Sequence, residues 1–148
     1  MVVGLERFRW WHVDDVLPLE RALFQPEPWT AHHFWSELGQ TATRYYRVAV
    51  VGGRVVGYAG LCDYPDEAFV QTMAVAPDQQ SQGVGALLLT DLLAEAGRRR
   101  HTRVLLEVRE DNAPAQRLYG RFGFDRAGVR RGYYPGGVDA WIMERSLP

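Results

Sequence analysis

The hydrophobic pattern switches from a two-residue to a helical period at Pro77, and that switch restricts the fold more than any other feature. Upstream, Tyr45 to Val51 and Arg54 to Cys62 are apolar, β-branched runs. Gly52-Gly53 between them is a hairpin signal, because glycine reaches the positive φ that two-residue turns need. Asp63 to Glu67 reads as a second turn, and Ala68 to Ala76 as a third strand stopped by Pro77. Such short links imply antiparallel neighbours. Downstream, Val84, Leu88 and Leu92 share a helical face, Leu89, Leu93 and Ala96 lie beside it, and Gly97 ends the helix. Thr102 to Val108 is a strand again. Strand 68–76, helix 84–97 and strand 102–108 form one crossover unit, expected to be right-handed and parallel.

The flanks extend this pattern. Val2 to Phe8 is expected as a strand and Asp14 to Phe24 as a helix with Val16, Leu19 and Leu23 on one face. Thr30 caps a short helix containing Phe34, Trp35 and Leu38, ended by Gly39. Asn112 to Arg121 is a helix with Asn112 as N-cap and Pro114 in its first turn. Phe124 to Arg130 and Ala140 to Ser146 close the chain as strands. The expected fold class is α/β: one mixed, mostly antiparallel sheet flanked by helices, a single domain over residues 1–148.

Composition excludes several roles. No apolar run approaches the ~18–20 residues that cross a bilayer. The start, Met1 to Arg7, lacks the basic-then-apolar order of a signal peptide, so a cytoplasmic setting is expected. A lone cysteine, Cys62, rules out a disulfide framework. His12, His32 and His33 lack partners at metal-ligand spacing, so no metal is assigned. All 17 basic residues are arginine. Residues 1–97 hold six of them against twelve acidic residues, and residues 98–148 hold eleven against six. A basic half of this kind suits a nucleic acid or a small polyphosphate. Arg98-Arg99-Arg100-His101 follows a helix end, where cations oppose the negative dipole end, so direct nucleic-acid binding is not expected. Trp10, Trp11, Trp29, Trp35 and Trp141 read as core or cleft wall.

Two motifs carry chemistry. Gln80-Ser81-Gln82-Gly83-Val84-Gly85-Ala86 lies between a strand and a helix. Its glycines permit a sharp turn close to a ligand, and the helix start offers unpaired N–H groups, a cradle for a pyrophosphate. No Gly-Lys-Ser/Thr follows, and Leu88 stands where a dinucleotide fingerprint needs its third glycine. The second motif is Leu106-Glu107-Val108-Arg109, with Asn112 and Tyr119 two helical turns apart behind it. A carboxylate within an apolar strand end suits a site at the crevice of an open sheet. Singly, Glu107 also fits a solvated edge, Asn112 a helix cap and Tyr119 a core aromatic.

With Gln80-x-x-Gly83-x-Gly85, Leu106-Glu107-Val108-Arg109, Asn112-x-Ala-x-x-x-Leu-Tyr119, Gly123-Phe124, Arg130-Arg131-Gly132-Tyr133-Tyr134-Pro135 and Asp139-Ala140-x-x-Met143, the chain resembles the GNAT superfamily of acetyl-CoA-dependent N-acetyltransferases. Within it the chain resembles the RimI branch, which acetylates the N-terminal alanine of a small-subunit ribosomal protein. The resemblance implies acetyl-CoA as co-substrate and a protein N-terminus as acceptor. It implies that the backbone of Met73, Ala74 and Val75 pairs with the pantetheine arm. Ser81, Gln82, Gly83, Val84, Gly85 and Ala86 would hold the pyrophosphate, and Asn112 would contact the cofactor. Glu107 would be the general base and Tyr119 the general acid. Tyr133 and Tyr134 would help hold the acceptor. Gly132, where asparagine is more usual, is expected to loosen that hairpin.

An α-amine, with a pKa of ~7.7–8.0, is roughly a quarter neutral at pH 7.4, against about 0.1% for a lysine. One carboxylate therefore suffices as base. A backbone N–H near Val75 is placed to stabilise the thioester oxygen. Cys62 as an acetyl carrier is disfavoured, having no nearby histidine in sequence. Glu27, Asp63, Asp66 and Glu67 are candidates for an acidic wall facing a cationic tail. A small-amine acetyltransferase and a non-catalytic acyl-CoA-binding module are the alternatives; the Tyr-Tyr-Pro hairpin speaks against the first and the Glu107–Tyr119 pair against the second.

Overall fold

The computed structural model describes residues 2–148. In chain order the elements are β1 (Gly4–Arg7), α1 (Val13–Leu23), α2 (Ala31–Gly39), β2 (Arg44–Val51), β3 (Arg54–Asp63), β4 (Ala68–Val75), α3 (Val84–Arg98), β5 (Arg103–Arg109), α4 (Ala113–Arg121), β6 (Asp125–Tyr134) and β7 (Val138–Ser146). They form one seven-stranded sheet in the order β1-β2-β3-β4-β5-β7-β6. Only β4 and β5 run parallel; every other neighbouring pair is antiparallel, as the turn signals lead one to expect for β2–β3 and β3–β4. The last strand inserts beside β5, leaving β6 on the edge. The expected Phe124–Arg130 strand runs on to Tyr134, because the hairpin with β7 continues past Arg130. Among the described residues, no helix is long and apolar enough to cross a membrane.

Helices cover both faces. On one, Val84, Leu88, Leu89, Leu92 and Ala96 of α3 pack with Val70, Val104, Leu106 and Val108. On the other, Val13, Val16 and Leu17 of α1 and Phe34 of α2 pack with Tyr46, Val48, Val55, Tyr58 and Ala74. The buried stripe of α1 is Val13, Val16, Leu17 and Glu20, rotated from the expected Val16, Leu19 and Leu23. Glu20 belongs to this stripe because its carboxylate is satisfied inside. Its Oε1 accepts the Tyr58 hydroxyl at 2.7 Å and its Oε2 the Trp29 amide at 2.9 Å. Glu37 of α2 is buried in the same manner, with Oε1 accepting from the Tyr46 hydroxyl at 2.6 Å, Arg44 Nε at 3.0 Å and Gln71 Nε2 at 3.3 Å. Hydropathy sends glutamate outward, whereas satisfied hydrogen bonds let it stay inside.

Two irregularities in β4 position the site. Leu61 pairs with Val70 but Gly60 with Thr72, so Gln71 is a one-residue bulge. A bulge flips the side-chain alternation: Ala68 and Val70 face α3 before it, and Met73 and Val75 do so after it, while Ala74 turns to the α1 side. The second irregularity is that β4 pairs with β5 only from Ala68–Val104 to Val70–Leu106. Beyond that register the two strands part.

Candidate active site

The parting between β4 and β5 is the centre of the site. Hydrogen-bonded and non-bonded pairs alternate along an antiparallel ladder. Ala76 N–H donates to the Val56 carbonyl at 2.7 Å, which fixes the phase against β3. In that phase Ala74 pairs its backbone with Tyr58, while Met73 and Val75 turn theirs away from β3 and into the gap. The Val75 carbonyl is met by Gln80 Nε2 at 3.1 Å, which ties the following turn to the strand end. No sequence pattern marks Gln80 for this tether, because its acceptor is a backbone carbonyl.

That turn leads into α3. Ser81 has φ 64° and Gly83 φ 86°, both left-handed, and Gly83 is the N-cap without any side-chain cap. A Cβ at Gly83 would meet open space, so the first-turn amides of α3 stay accessible. Alternating left- and right-handed residues bring successive N–H groups to one anion-sized concavity. Gly85 serves packing instead, since a Cβ there would lie 3.1 Å from Leu118 Cδ2. Its missing side chain lets α4 approach α3.

Glu107 lies on β5 just past the register at which the strands separate, opposite Ile142 of β7. Leu106 and Val108 face α3, so the alternation turns Glu107 to the α1 side. Its side chain is 16% exposed, and Arg130 Nε approaches Oε2 at 3.7 Å. Oε2 is buried and, among the described residues, has no hydrogen-bond partner. Burial pushes the Glu107 pKa above the usual carboxylate range, and Arg130 offsets part of that rise. Tyr119 of α4 is buried on the opposite face, with the α3 residues and 6.0 Å from the Phe124 ring. Burial lifts its hydroxyl to about 12, with a smaller contribution from Tyr134. Tyr134 itself is raised to about 12, first by burial and then by Glu107. Tyr134 thus couples electrostatically to residues of both faces. Asn112 caps α4, its Oδ1 accepting the Ala115 amide at 3.2 Å, which leaves its side-chain NH₂ free of that duty.

The β6–β7 register is irregular between Arg130 and Tyr134, around Gly132. Gly132 sits at φ 59°, a conformation glycine tolerates as well as asparagine, and its N–H donates to Asp139 Oδ1 at 2.8 Å. Tyr133 is exposed and Tyr134 half-buried, their rings 5.1 Å apart. Arg130 stands over the Tyr133 ring and Arg109 over that of Tyr134.

The acidic wall needs correction at Asp63, Asp66 and Glu67. Asp63 bonds Arg99 at 2.7 Å and His101 at 2.9 Å, and Glu67 pairs with Arg103 at 2.6 Å. With Asp66 they sit on the β3–β4 turn, at the end of β4 away from the parting, and form no wall of the site. At the end of α3, Arg98 and Arg99 also pair with Glu95. Of the two readings for the tryptophans, Trp10, Trp11 and Trp35 take that of wall: they are exposed and line a surface groove of about 400 Å³ with Asp14. Cys62 is buried, and burial pushes its thiol pKa up, which weakens it as a nucleophile.

The parallel pair β4–β5 separates beside the uncapped start of α3, and residues 6–124 of the chain that builds this arrangement match the GNAT acetyltransferase family. The chain belongs to that family of N-acetyltransferases, whose acetyl donor is acetyl-CoA. It is 42% identical over 133 residues to the N-alpha-acetyltransferase RimI of Mycobacterium tuberculosis, covering 86% of this chain and 82% of that protein. It is 39% identical over 120 residues to the ribosomal protein bS18-alanine N-acetyltransferase of Escherichia coli, covering 78% and 79%. The crystal structure of the ribosomal-protein-S18-alanine N-acetyltransferase from Escherichia coli superposes with a TM-score of 0.88 at 31% identity, over 99% of this chain and 94% of that one.

Proposed function

We propose that this enzyme acetylates the α-amine of a protein N-terminus, the N-terminal alanine of a small-subunit ribosomal protein, with Glu107 as base and Tyr119 as acid. The observation that carries the reading is the unpartnered Oε2 of Glu107 at the parting, with Tyr119 on the other face of the sheet. Similarity to the two bacterial N-terminal acetyltransferases supports the choice of acceptor.

The residues fit acetyl-CoA. The inward backbone groups of Met73 and Val75 suit an amide-bearing arm, whereas Ala74 engages β3. The open amides from Ser81 to Ala86 suit a pyrophosphate, and the Asn112 NH₂ is a further donor. Bound there, acetyl-CoA would supply an activated acyl group. Glu107 takes a proton from the α-amine, directly or through one water. Tyr119, protonated at every physiological pH, donates one toward the leaving sulfur. The Val75 N–H is available to the carbonyl oxygen. Tyr133 and Tyr134 hold the acceptor chain. Transfer is direct, and Cys62 takes no part.

Intact-mass spectrometry of two peptides with acetyl-CoA tests this. One begins with a free alanine, is rich in arginine and contains no lysine; the other has a blocked N-terminus and one lysine. Acetylation of the first alone is expected. Acetylation of only the second, or of neither, overturns the acceptor assignment.

A further inference from the structure

We propose that Arg130 is a positioning residue that keeps Glu107 ionised without occupying the lone pair that must receive the proton. This rests on Glu107 being the base. The guanidinium Nε lies 3.7 Å from Glu107 Oε2, near enough for the charges to attract but too far for a hydrogen bond. Oε2 accordingly has no hydrogen-bond donor among the described residues. A directly bonded arginine would stabilise the charge better, but it would fill the place that the amine N–H needs. The guanidinium also overlies the Tyr133 ring at 5.5 Å. The Arg130 side chain is 55% exposed, so the fold does not depend on it for packing.

The other charged and titratable groups near Glu107 do not duplicate this effect. Tyr134 of β6 is neutral below its pKa of about 12. Arg109, two residues along β5 on the same face, is committed to Asp111 through bonds of 2.9 and 3.0 Å. Glu144 of β7, diagonal to Glu107, faces Arg103 at 3.6 Å. Arg130 is therefore the uncommitted cation beside the base. The sequence marks Arg130 only within the Arg130-Arg131-Gly132-Tyr133-Tyr134-Pro135 stretch; its approach to Glu107 is not readable there, since the two lie on different strands.

The experiment compares wild type, Arg130→Gln, Arg130→Lys and Glu107→Gln on the alanine peptide from pH 5.5 to 8.5. Dividing each variant's kcat/KM by the wild-type value at the same pH cancels ionisation of the peptide amine. For Arg130→Gln this ratio should be flat at high pH and fall at low pH, reaching about tenfold for a one-unit rise in the carboxylate pKa. Arg130→Lys should restore much of the loss. In parallel, ¹³C-carboxyl NMR of the free enzyme should show the Glu107 resonance titrating at higher pH in Arg130→Gln. A pH-independent ratio with an unmoved resonance overturns the role of Arg130. A Glu107→Gln enzyme of normal rate instead overturns Glu107 as base, whatever Arg130 does.

Discussion

A carboxylic acid whose pKa rises on folding weakens the folded state wherever it is ionised. Glu107 is such a group, raised by burial despite Arg130. Below about pH 4 it is protonated in folded and unfolded chains alike and costs nothing; the cost develops as pH rises through its folded pKa. Glu107→Gln should therefore lower kcat/KM by about 10²–10⁴-fold while raising the thermal midpoint at pH 7.5. The gain in midpoint should vanish near pH 4, which thermal denaturation at both pH values would show. Tyr119→Phe removes only the hydroxyl and conserves ring volume. It should cost under about 1.5 kcal/mol of stability yet reduce kcat by about two orders of magnitude. Urea unfolding alongside steady-state kinetics separates the two effects. Glu107 and Tyr119 stand out in the sequence, and the roles proposed for them come from the resemblance. The nearness of Arg130 to Glu107 was not legible, because it arises from strand order, which no local pattern encodes.

At the scale of elements, close approach decides what the strands tolerate. Tyr46 of β2 lies across Gly60 of β3, and a Cβ at Gly60 would stand 2.2 Å from the ring. That ring cannot retreat freely, since its hydroxyl donates to Glu37 of α2. Gly60→Ala should thus destabilise by roughly 1–3 kcal/mol and loosen α2 from the sheet. Differential scanning calorimetry would read the loss, and an unchanged midpoint would contradict the packing described. The strands, turns and crossover were readable because each announces itself within a few residues. The bulge at Gln71 and the separation of β4 from β5 were not, because both depend on pairing between distant strands. The same limit hid the burial of Glu20 and Glu37. Their partners Tyr58 and Tyr46 lie on separate strands, and without them a buried glutamate has no reason to exist.

For the molecule as a whole, those two carboxylates join the α1–α2 layer to the sheet, and they respond to pH with opposite sign. Burial pushes Glu37 up, but hydrogen bonds from Tyr46, Arg44 and Gln71 outweigh it and hold its pKa below the usual range. Its contribution is present above about pH 4–5 and lost as pH falls through the depressed folded value. Glu20 is raised, chiefly by burial, so it contributes nothing to acid lability. Glu37→Gln should cost roughly 3 kcal/mol at pH 7, and the difference from wild type should shrink between pH 5 and 3. Chemical denaturation midpoints at the two extremes measure both. An undiminished difference at pH 3 would mean that the charge of Glu37 does not matter to the fold. Asp63, drawn down by Arg99 and His101 against the effect of burial, adds to the acid lability at the opposite end of β4.

The separation of β4 from β5 also has a signature in time. A strand in the middle of a seven-stranded sheet should protect all its amides from solvent exchange, yet past Val70 only one edge of β4 has a partner. Ala74 N–H is held by Tyr58, while those of Met73 and Val75 face the gap. Deuterium should enter these three neighbours in alternation, quickly at Met73 and Val75 and slowly at Ala74, a pattern otherwise confined to the rim of a sheet. An extended ligand laid in the gap would erase the alternation at those two residues and leave Ala74 as it was, so the occupant of the site would be recorded in the clock of its own backbone.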